Sequence, residues 1–113
     1  MPNAKARDLF PGALEMMVLR LLEKEPLHGY ALVQRIQQAS QNLLQVEEGS
    51  LYPALQRLLK DGLVDAKWSV SSTNRRIRVY RITREGAKHL GNELSSFERM
   101  FDGINLVLAL GKS

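Results

Sequence analysis

The chain has 113 residues, 44% of them hydrophobic, which predicts a single globular unit with its own core. It has no cysteine, which excludes disulfides, thiol nucleophiles and thiolate zinc sites, and its formal net charge of +4 favours an anionic partner. No apolar run approaches the ~20 residues of a membrane-spanning helix, and the N-terminus lacks a signal-peptide pattern, so we expect a soluble cytoplasmic protein.

Two amphipathic helices are predicted in the first forty residues. One follows Pro11-Gly12 and ends at Pro26, because the residue before a proline is disfavoured in helical geometry. The second covers roughly Tyr30 to Ser40. Apolar side chains at helical spacing give each helix one inward face: Leu14, Met17, Val18, Leu21 and Leu22 in the first, and Leu32, Val33 and Ile36 in the second.

A third helix carries leucines on its buried face and ends at Gly62, a natural C-terminal stop. Its start stays open. Ser50 is a good N-cap that places Pro53 in the first turn, whereas a start near Glu47 places Pro53 deeper and loses one backbone hydrogen bond. At ~100° per residue from the buried Leu51, the outward stripe is Gly49, Pro53, Gln56 and Lys60, flanked by Tyr52, Ser50 and Arg57.

Two strands, Leu63 to Trp68 and Ile77 to Ile82, are predicted around a polar turn over residues 69–74. A lone tryptophan here is more often a packing residue than a ligand platform, so Trp68 is predicted to lie in the core. Residues 69–84 contain no acid but include five arginines: Arg75, Arg76, Arg78, Arg81 and Arg84. A helix followed at once by a basic hairpin is typical of a winged helix-turn-helix, whose helix enters the major groove and whose hairpin grips the flanking backbone.

The last helix is predicted to start at the cap Thr83 and to run for ~40 Å, beyond the reach of a small three-helix core. Its apolar residues recur at alternating steps of three and four, a seam that predicts a homodimer: Leu90, Leu94, Phe97, Phe101, Ile104 and Leu108. We therefore predict a mainly α fold with a small β-hairpin. It consists of a winged helix-turn-helix domain over residues 9–82 and a long C-terminal dimerisation helix over residues 83–113.

Double-stranded DNA is the partner that this layout predicts. Ser50 and Tyr52 can hydrogen-bond bases or phosphates, Gly49 permits close backbone approach, and Gln56 suits adenine. The alternative is that the helix presents only a solvated polar face and the hairpin only a solubilising loop. The candidate DNA contacts are Tyr30, Gly49, Ser50, Tyr52, Pro53, Gln56, Lys60, Asn74, Arg75 and Arg76.

No paired acids, nucleophile elbow, phosphate-binding glycine loop or metal-spaced histidines are present, so we predict no enzyme, no cofactor and no metal. Two alternatives stay open. The first is a winged-helix protein-interaction module that does not bind DNA, against which the acid-free arginine hairpin speaks. The second, with less support, is a small ligand-binding protein or enzyme.

Three segments resemble the PadR family of bacterial transcriptional regulators: LHGYALVQRIQ (27–37), VEEGSLYPALQRLLKDGLV (46–64) and RRIRVYRITREG (75–86). The resemblance includes PGALEMMVLRLL of the first helix. It implies a homodimer of winged helices bound to an inverted-repeat operator, usually as a repressor. The contacts that it implies are Gly49, Ser50, Tyr52, Tyr30 and the tip from Asn74 to Arg76.

A small planar or aromatic effector is a further possibility that the resemblance raises, because some relatives release DNA when such a compound binds at the dimer interface. Other relatives place a tryptophan on the dimer helix for this purpose, whereas this chain has Phe97 and Phe101 there. Met16 and Met17 of the first helix are predicted to pack beside these rings, since methionine walls are adaptable. The alternative is a dry structural dimer core.

Overall fold

The computed structural model describes residues 4–5, 9 and 12–111. Within them the elements in chain order are β1 (Ala4–Lys5), α1 (Ala13–Lys24), β2 (Leu27–His28), α2 (Gly29–Ala39), β3 (Leu44–Gln45), α3 (Glu48–Lys60), β4 (Val64–Val70), β5 (Arg76–Ile82) and α4 (Arg84–Ala109). The predicted mainly α fold with a small β-hairpin is confirmed. Pro11, predicted to precede the first helix, and residues 112–113 lie outside the described residues.

The helices α1 and α2 follow the predicted apolar faces. Gly12 caps α1 in the left-handed region, with a φ of 83° that glycine adopts without strain. Leu14, Val18 and Leu22 are buried, whereas Met17 and Leu21 are only half-buried at the side of the helix. The helix α2 begins at Gly29, one residue earlier than predicted.

The start of α3 resolves the alternative that the sequence leaves open. The N-cap is Glu47, so the earlier start is the one that forms, and Pro53 lies inside the helix. Proline has no N–H, so the carbonyl of Gly49 loses its helical donor, one turn from the exposed N-terminus. At the other end, Gly62 has a φ of 72°, and its N–H donates to the Leu59 carbonyl at 3.1 Å in a C-terminal capping turn.

The sheet has three antiparallel strands in the order β2-β5-β4. The strand β2 was not predicted, because two residues are too few to show an alternating pattern. Both hairpin strands are longer than predicted, and the turn is correspondingly shorter, covering residues 71–75. A second, parallel pair joins β1 to β3 and also lacks a sequence signal.

The core lies between the three short helices and the helix-facing side of the sheet, and the beginning of α4 completes it. Its buried residues include Leu19, Leu32 and Leu51 from successive helices and Tyr80 from β5. Leu90, predicted for the dimer seam, is only 1% exposed and packs in this core, so it offers no surface to a second chain. Leu90 is buried because the first two turns of α4 still lie over the winged domain, although the predicted division falls at residue 83.

Three contacts fix the position at which α4 leaves this core. The predicted cap Thr83 accepts a hydrogen bond from the Gly86 N–H at 3.0 Å, and its hydroxyl donates to the Gly62 carbonyl at 2.8 Å. A β-carbon at Gly86 would lie only 2.0 Å from the Leu63 carbonyl oxygen, so glycine is required at this crossing. The end of α3 and the start of α4 are therefore held together.

Candidate nucleic-acid interface

The outward stripe of α3 is where the sequence predicts it. Leu51, on the opposite face, is fully buried. The stripe residues and the flanking Ser50, all predicted to contact DNA, are exposed: Gly49, Ser50, Pro53, Gln56 and Lys60. A β-carbon built on Gly49 meets nothing within 4 Å. The backbone of the first turn of α3 is therefore open for a duplex to approach closely.

Tyr52 has a packing function as well as an exposed surface. It is 43% exposed, but its hydroxyl would lie 3.1 Å from a β-carbon at Gly29, so its ring crosses the start of α2. This close approach gives a reason for the glycine before Tyr30, which the sequence alone did not reveal. Tyr30 itself is 54% exposed. The structure thus brings the first turns of α2 and α3 together.

Tyr80 of β5 is buried in the core, with only 2% of its surface exposed. Burial raises the pKa of the Tyr80 phenol above its ordinary value of 10.0; the Arg78 guanidinium acts to lower that pKa, and Tyr52 adds to the rise. The two phenols are therefore electrostatic neighbours.

Arg57 flanks the stripe but is held by another helix. Its Nε donates to Oε1 of Glu15 on α1 at 3.0 Å, and a terminal guanidinium nitrogen donates to the same oxygen. Part of its positive charge is compensated by this carboxylate. Among the basic residues along the stripe, Lys60 is therefore the better placed for a phosphate.

The tip of the hairpin, residues 71–75, is held by its own hydrogen bonds. The Ser71 hydroxyl accepts from the Arg75 N–H at 3.1 Å, and the Ser71 N–H donates to the Arg75 carbonyl at 2.8 Å. Asn74 sits in the left-handed region with a φ of 61°, which asparagine tolerates better than most residues. Asn74, Arg75 and Arg76 are all exposed, so the structure presents the three predicted wing contacts to solvent.

The prediction that Trp68 packs into the core is wrong. Its side chain is 60% exposed, because β4 continues past the end of the helical layer that buries Val64 at the start of the strand. The Arg76 guanidinium carbon lies 4.4 Å from the centroid of its ring and that of Arg78 lies at 5.9 Å. An indole and two guanidiniums are thus clustered on the hairpin, a group that sequence reasoning missed.

The distal part of α4 is the candidate dimer surface. Phe97 is half-buried and Phe101 is 47% exposed, with their ring centroids 5.8 Å apart, and Leu108 is 66% exposed. Beside Phe97 lies an apolar groove of about 540 Å³, whose walls include Met16, Met17 and Leu94. The predicted proximity of the two methionines to Phe97 is therefore present within one chain.

Two other kinds of feature, a metal site and a membrane span, were looked for in the described ranges 4–5, 9 and 12–111. No group of three or more histidine, cysteine, aspartate or glutamate side chains there is arranged to hold a metal ion. No helix in these ranges has both the length and the apolar character to cross a bilayer.

Comparison with known proteins identifies the family. Residues 18–92 match the model of the transcriptional regulator PadR-like family, which is more than half of the chain. The chain belongs to the PadR-like family of transcriptional regulators. The resemblance found in the sequence is confirmed, and so is the winged helix that it implies.

Solved structures of PadR-like and other regulators have the same fold. A transcriptional regulator from Clostridium thermocellum is 30% identical, with a TM-score of 0.76 over 83% of this chain and 88% of its own. A PadR family regulator from Eggerthella lenta is 32% identical, with a TM-score of 0.75 over 86% of this chain and 82% of its own. PadR of Bacillus subtilis, solved in complex with operator DNA, is 23% identical over 72% of this chain and 47% of its own, with a TM-score of 0.65, and so supports the fold alone.

Proposed function

We propose that this PadR-like protein is a homodimeric, sequence-specific DNA-binding regulator that represses transcription from an inverted-repeat operator. The observation that carries the proposal is the combination of an exposed polar stripe on α3 with an exposed arginine-rich wing on one small module. Among the described residues, none of the acids lies within ion-pair distance of Arg75 or Arg76. Their charges are therefore available to phosphates.

The stripe on α3 and the wing would divide the work at the DNA. Phosphate contacts supply affinity without sequence information, whereas base edges in the major groove are read by hydrogen-bonding side chains. Gln56, on the stripe, can make the bidentate contact that suits adenine, and Lys60, one turn later, suits a phosphate. Arg75 and Arg76 on the wing add sequence-independent affinity.

A homodimer is supported by the apolar surface that one chain leaves open. Phe101 and Leu108 on α4 are exposed, and the groove beside Phe97 is lined almost wholly by apolar side chains. A second copy can cover both, because two-fold symmetry places the same helix and groove on each partner. Such a dimer presents two copies of α3 to the DNA, which matches an inverted repeat with half-sites about one helical turn apart.

Repression follows from occupation of promoter DNA by the bound dimer. Two recognition helices and two wings on one operator cover a stretch of promoter DNA and exclude other proteins from it. The test is a mobility shift with DNA from upstream of the chain's own gene, followed by footprinting. The expected result is a protected site with two symmetric halves and lower transcription of a reporter placed behind it. A shift no stronger than that of random-sequence DNA, or an asymmetric footprint, would contradict sequence-specific dimeric binding.

Two variants separate the contributions of the stripe. Lys60→Ala should weaken binding to every duplex. It should also reduce the slope of the logarithm of the binding constant against the logarithm of salt concentration by about 0.9 for each phosphate that is no longer neutralised. Gln56→Ala should weaken binding to the operator by about 1–3 kcal/mol per half-site and leave random-sequence DNA nearly unaffected. Equal effects of both variants on both DNAs would contradict the assignment. If neither variant weakens binding to either DNA, the alternative of a protein-interaction module is favoured.

Control by a planar aromatic effector is proposed for the same groove. Its methionine walls and the Phe97 ring suit a flat apolar guest that shares the groove with the partner's helix. A guest that wedges the dimer would change the spacing of the two recognition helices and lower DNA affinity. A mobility-shift titration with phenolic acids and planar cationic dyes tests this, and no release combined with no heat of binding would leave the groove purely structural.

A further inference from the structure

The hairpin carries a stacked group that neither the fold nor the ordinary charge of a wing requires. Trp68 faces Arg78 directly across the β4-β5 ladder, and Arg76 is two residues further along the same face of β5. Both guanidinium carbons lie within 6 Å of the indole centroid, Arg76 at 4.4 Å and Arg78 at 5.9 Å. These distances are in the range of cation–π attraction.

The group is attached to the core at one end. Arg78 also lies 5.9 Å from the ring centroid of Tyr80, which is 2% exposed. Because cross-strand partners share a face, Trp68 and the two arginines stand on the side of the sheet that carries Val64 and Tyr80 into the core. The stack therefore continues the buried face of the sheet outward, beyond the helices, towards the tip of the wing.

The way in which Arg76 is held matters for what it can bind. When an arginine is held by a carboxylate, that partner compensates its charge and occupies its N–H donors. A guanidinium that stacks on an aromatic face keeps its charge, and the N–H donors around its edge stay free for a phosphate. No ion pair to Arg76 occurs among the described residues, so the indole is the partner that restricts it.

We propose that Trp68 is a positioning residue of the wing: by stacking against Arg76, it holds the guanidinium ready to donate to a DNA phosphate. The inference rests on the proposed DNA-binding function and adds a residue to it. A long arginine side chain loses rotamer freedom when it binds, and a ring that already restricts it lowers that cost. Arg75, one residue nearer the tip, stacks on no ring among the described residues and provides an internal comparison.

The expected size of the effect follows from cation–π attraction at exposed sites, which corresponds to about a two- to five-fold change in an equilibrium constant. Because a dimer has two wings, Trp68→Ala should weaken DNA binding about four- to twenty-five-fold. Trp68→Phe, which retains an aromatic face, should recover part of this loss. Val70→Ala is the matched control, since Val70 is also exposed, at 62%, on the same face of β4 but has no ring.

The decisive experiment is a pair of double-mutant cycles. Binding is measured by fluorescence anisotropy with a labelled duplex from the chain's own promoter region and a labelled random-sequence duplex, at several salt concentrations. If Trp68 acts through Arg76, the double variant Trp68→Ala/Arg76→Ala should bind both duplexes no more weakly than Arg76→Ala alone. The corresponding cycle with Arg75→Ala should instead be additive, because no ring contacts that side chain.

A spectroscopic measurement separates positioning from a general structural effect. Trp68 is the only tryptophan in the chain, so its emission reports directly on the wing. In the free protein, Arg76→Ala should make Trp68 more accessible to acrylamide, whereas Arg75→Ala should leave its quenching unchanged. On addition of DNA to the wild-type protein, quenching should fall as the duplex covers the stack. Thermal melting of Trp68→Ala and Trp68→Phe should match the wild type, because the side chain lies outside the core.

The outcomes distinguish this inference from the proposed function. Failure of the wild-type protein to bind either duplex would overturn the proposed function and, with it, this inference. If the wild type binds DNA but Trp68→Ala and Trp68→Phe both bind as tightly, the inference is overturned and the function stands. An additive cycle between Trp68 and Arg76 would also overturn it, since Trp68 would then act independently of that arginine.

Discussion

Gly49→Ala separates the requirements of the fold from those of DNA binding more cleanly than any other single change on α3. Gly49 lies in the first turn of the helix, and a β-carbon there meets no protein atom within 4 Å. Glycine in a helix costs about 0.5–1 kcal/mol relative to alanine, with less expected in the first turn. The substitution should therefore leave the free energy of unfolding unchanged or raise it slightly, with an increase in Tm of at most a few degrees.

DNA binding should respond in the opposite direction. If the backbone of this turn lies against the duplex, the added methyl group occupies space that the DNA needs. Inserting a methyl group into a well-packed contact costs about 1–3 kcal/mol. Two recognition helices in a dimer double this cost to about 2 kcal/mol or more, which corresponds to a loss of operator affinity of ~30-fold or greater.

The assay pairs a thermal melt with a mobility-shift titration on the operator. Gly103→Ala is the matched control, because a β-carbon at Gly103 also meets nothing within 4 Å and the residue lies on α4, on the side away from the apolar seam. The control, which lies in the interior of α4, should gain at least as much stability and lose no affinity. Operator affinity of Gly49→Ala within two-fold of the wild type, with both variants folded, would refute close approach of this turn to DNA.

Three further predictions concern the core, the dimer and pH. Gly86→Ala should destabilise the fold by several kcal/mol in denaturant titrations, because its β-carbon would overlap the Leu63 carbonyl oxygen at 2.0 Å; wild-type stability would contradict this close approach of α4 to the Leu63 backbone. The double variant Phe97→Ala/Phe101→Ala should sediment as a monomer and lose operator binding, whereas a wild-type protein that sediments as a monomer at micromolar concentration would rule out the dimer. Burial raises the pKa of Tyr80, so its stabilising effect is complete below its ordinary value of 10.0 and is lost as the pH rises through the higher folded-state value. Tyr80→Phe should flatten that alkaline loss in melts above pH 10, and an unchanged slope would show that other groups cause it.

The helical periodicity of α3 was sufficient to divide its buried face from its outward stripe. Leu51 is fully buried and Gln56 is exposed, as their spacing predicts, because the angle between two residues on a helix depends only on their separation along the chain. The end of α3 at Gly62 and the N-cap of α4 at Thr83 were also predicted correctly, since both depend on single residues and their immediate neighbours. The family, too, could be identified from short segments, since each motif combines residues that are neighbours in sequence.

Contacts between distant residues could not be read in this way. The strand Leu27–His28 exists because it pairs with Tyr80 and Val79, some fifty residues later, and two residues carry no periodicity of their own. The glycine at position 29 leaves room for the Tyr52 ring, whose hydroxyl would lie 3.1 Å from a β-carbon there, and this belongs to the packing of α2 on α3.

The positions of Trp68 and Leu90 show most clearly what the tertiary structure decided. Both are large apolar residues on amphipathic elements, and the sequence predicted burial for Trp68 within the chain and contact with a second chain for Leu90. The structure differs on both: Trp68 is 60% exposed, and Leu90, at 1% exposure, is buried within its own chain. Periodicity tells which side of a strand or helix faces inward, but burial depends on how far the neighbouring elements extend. The helical layer ends before Trp68, whereas it still lies beneath the first two turns of α4.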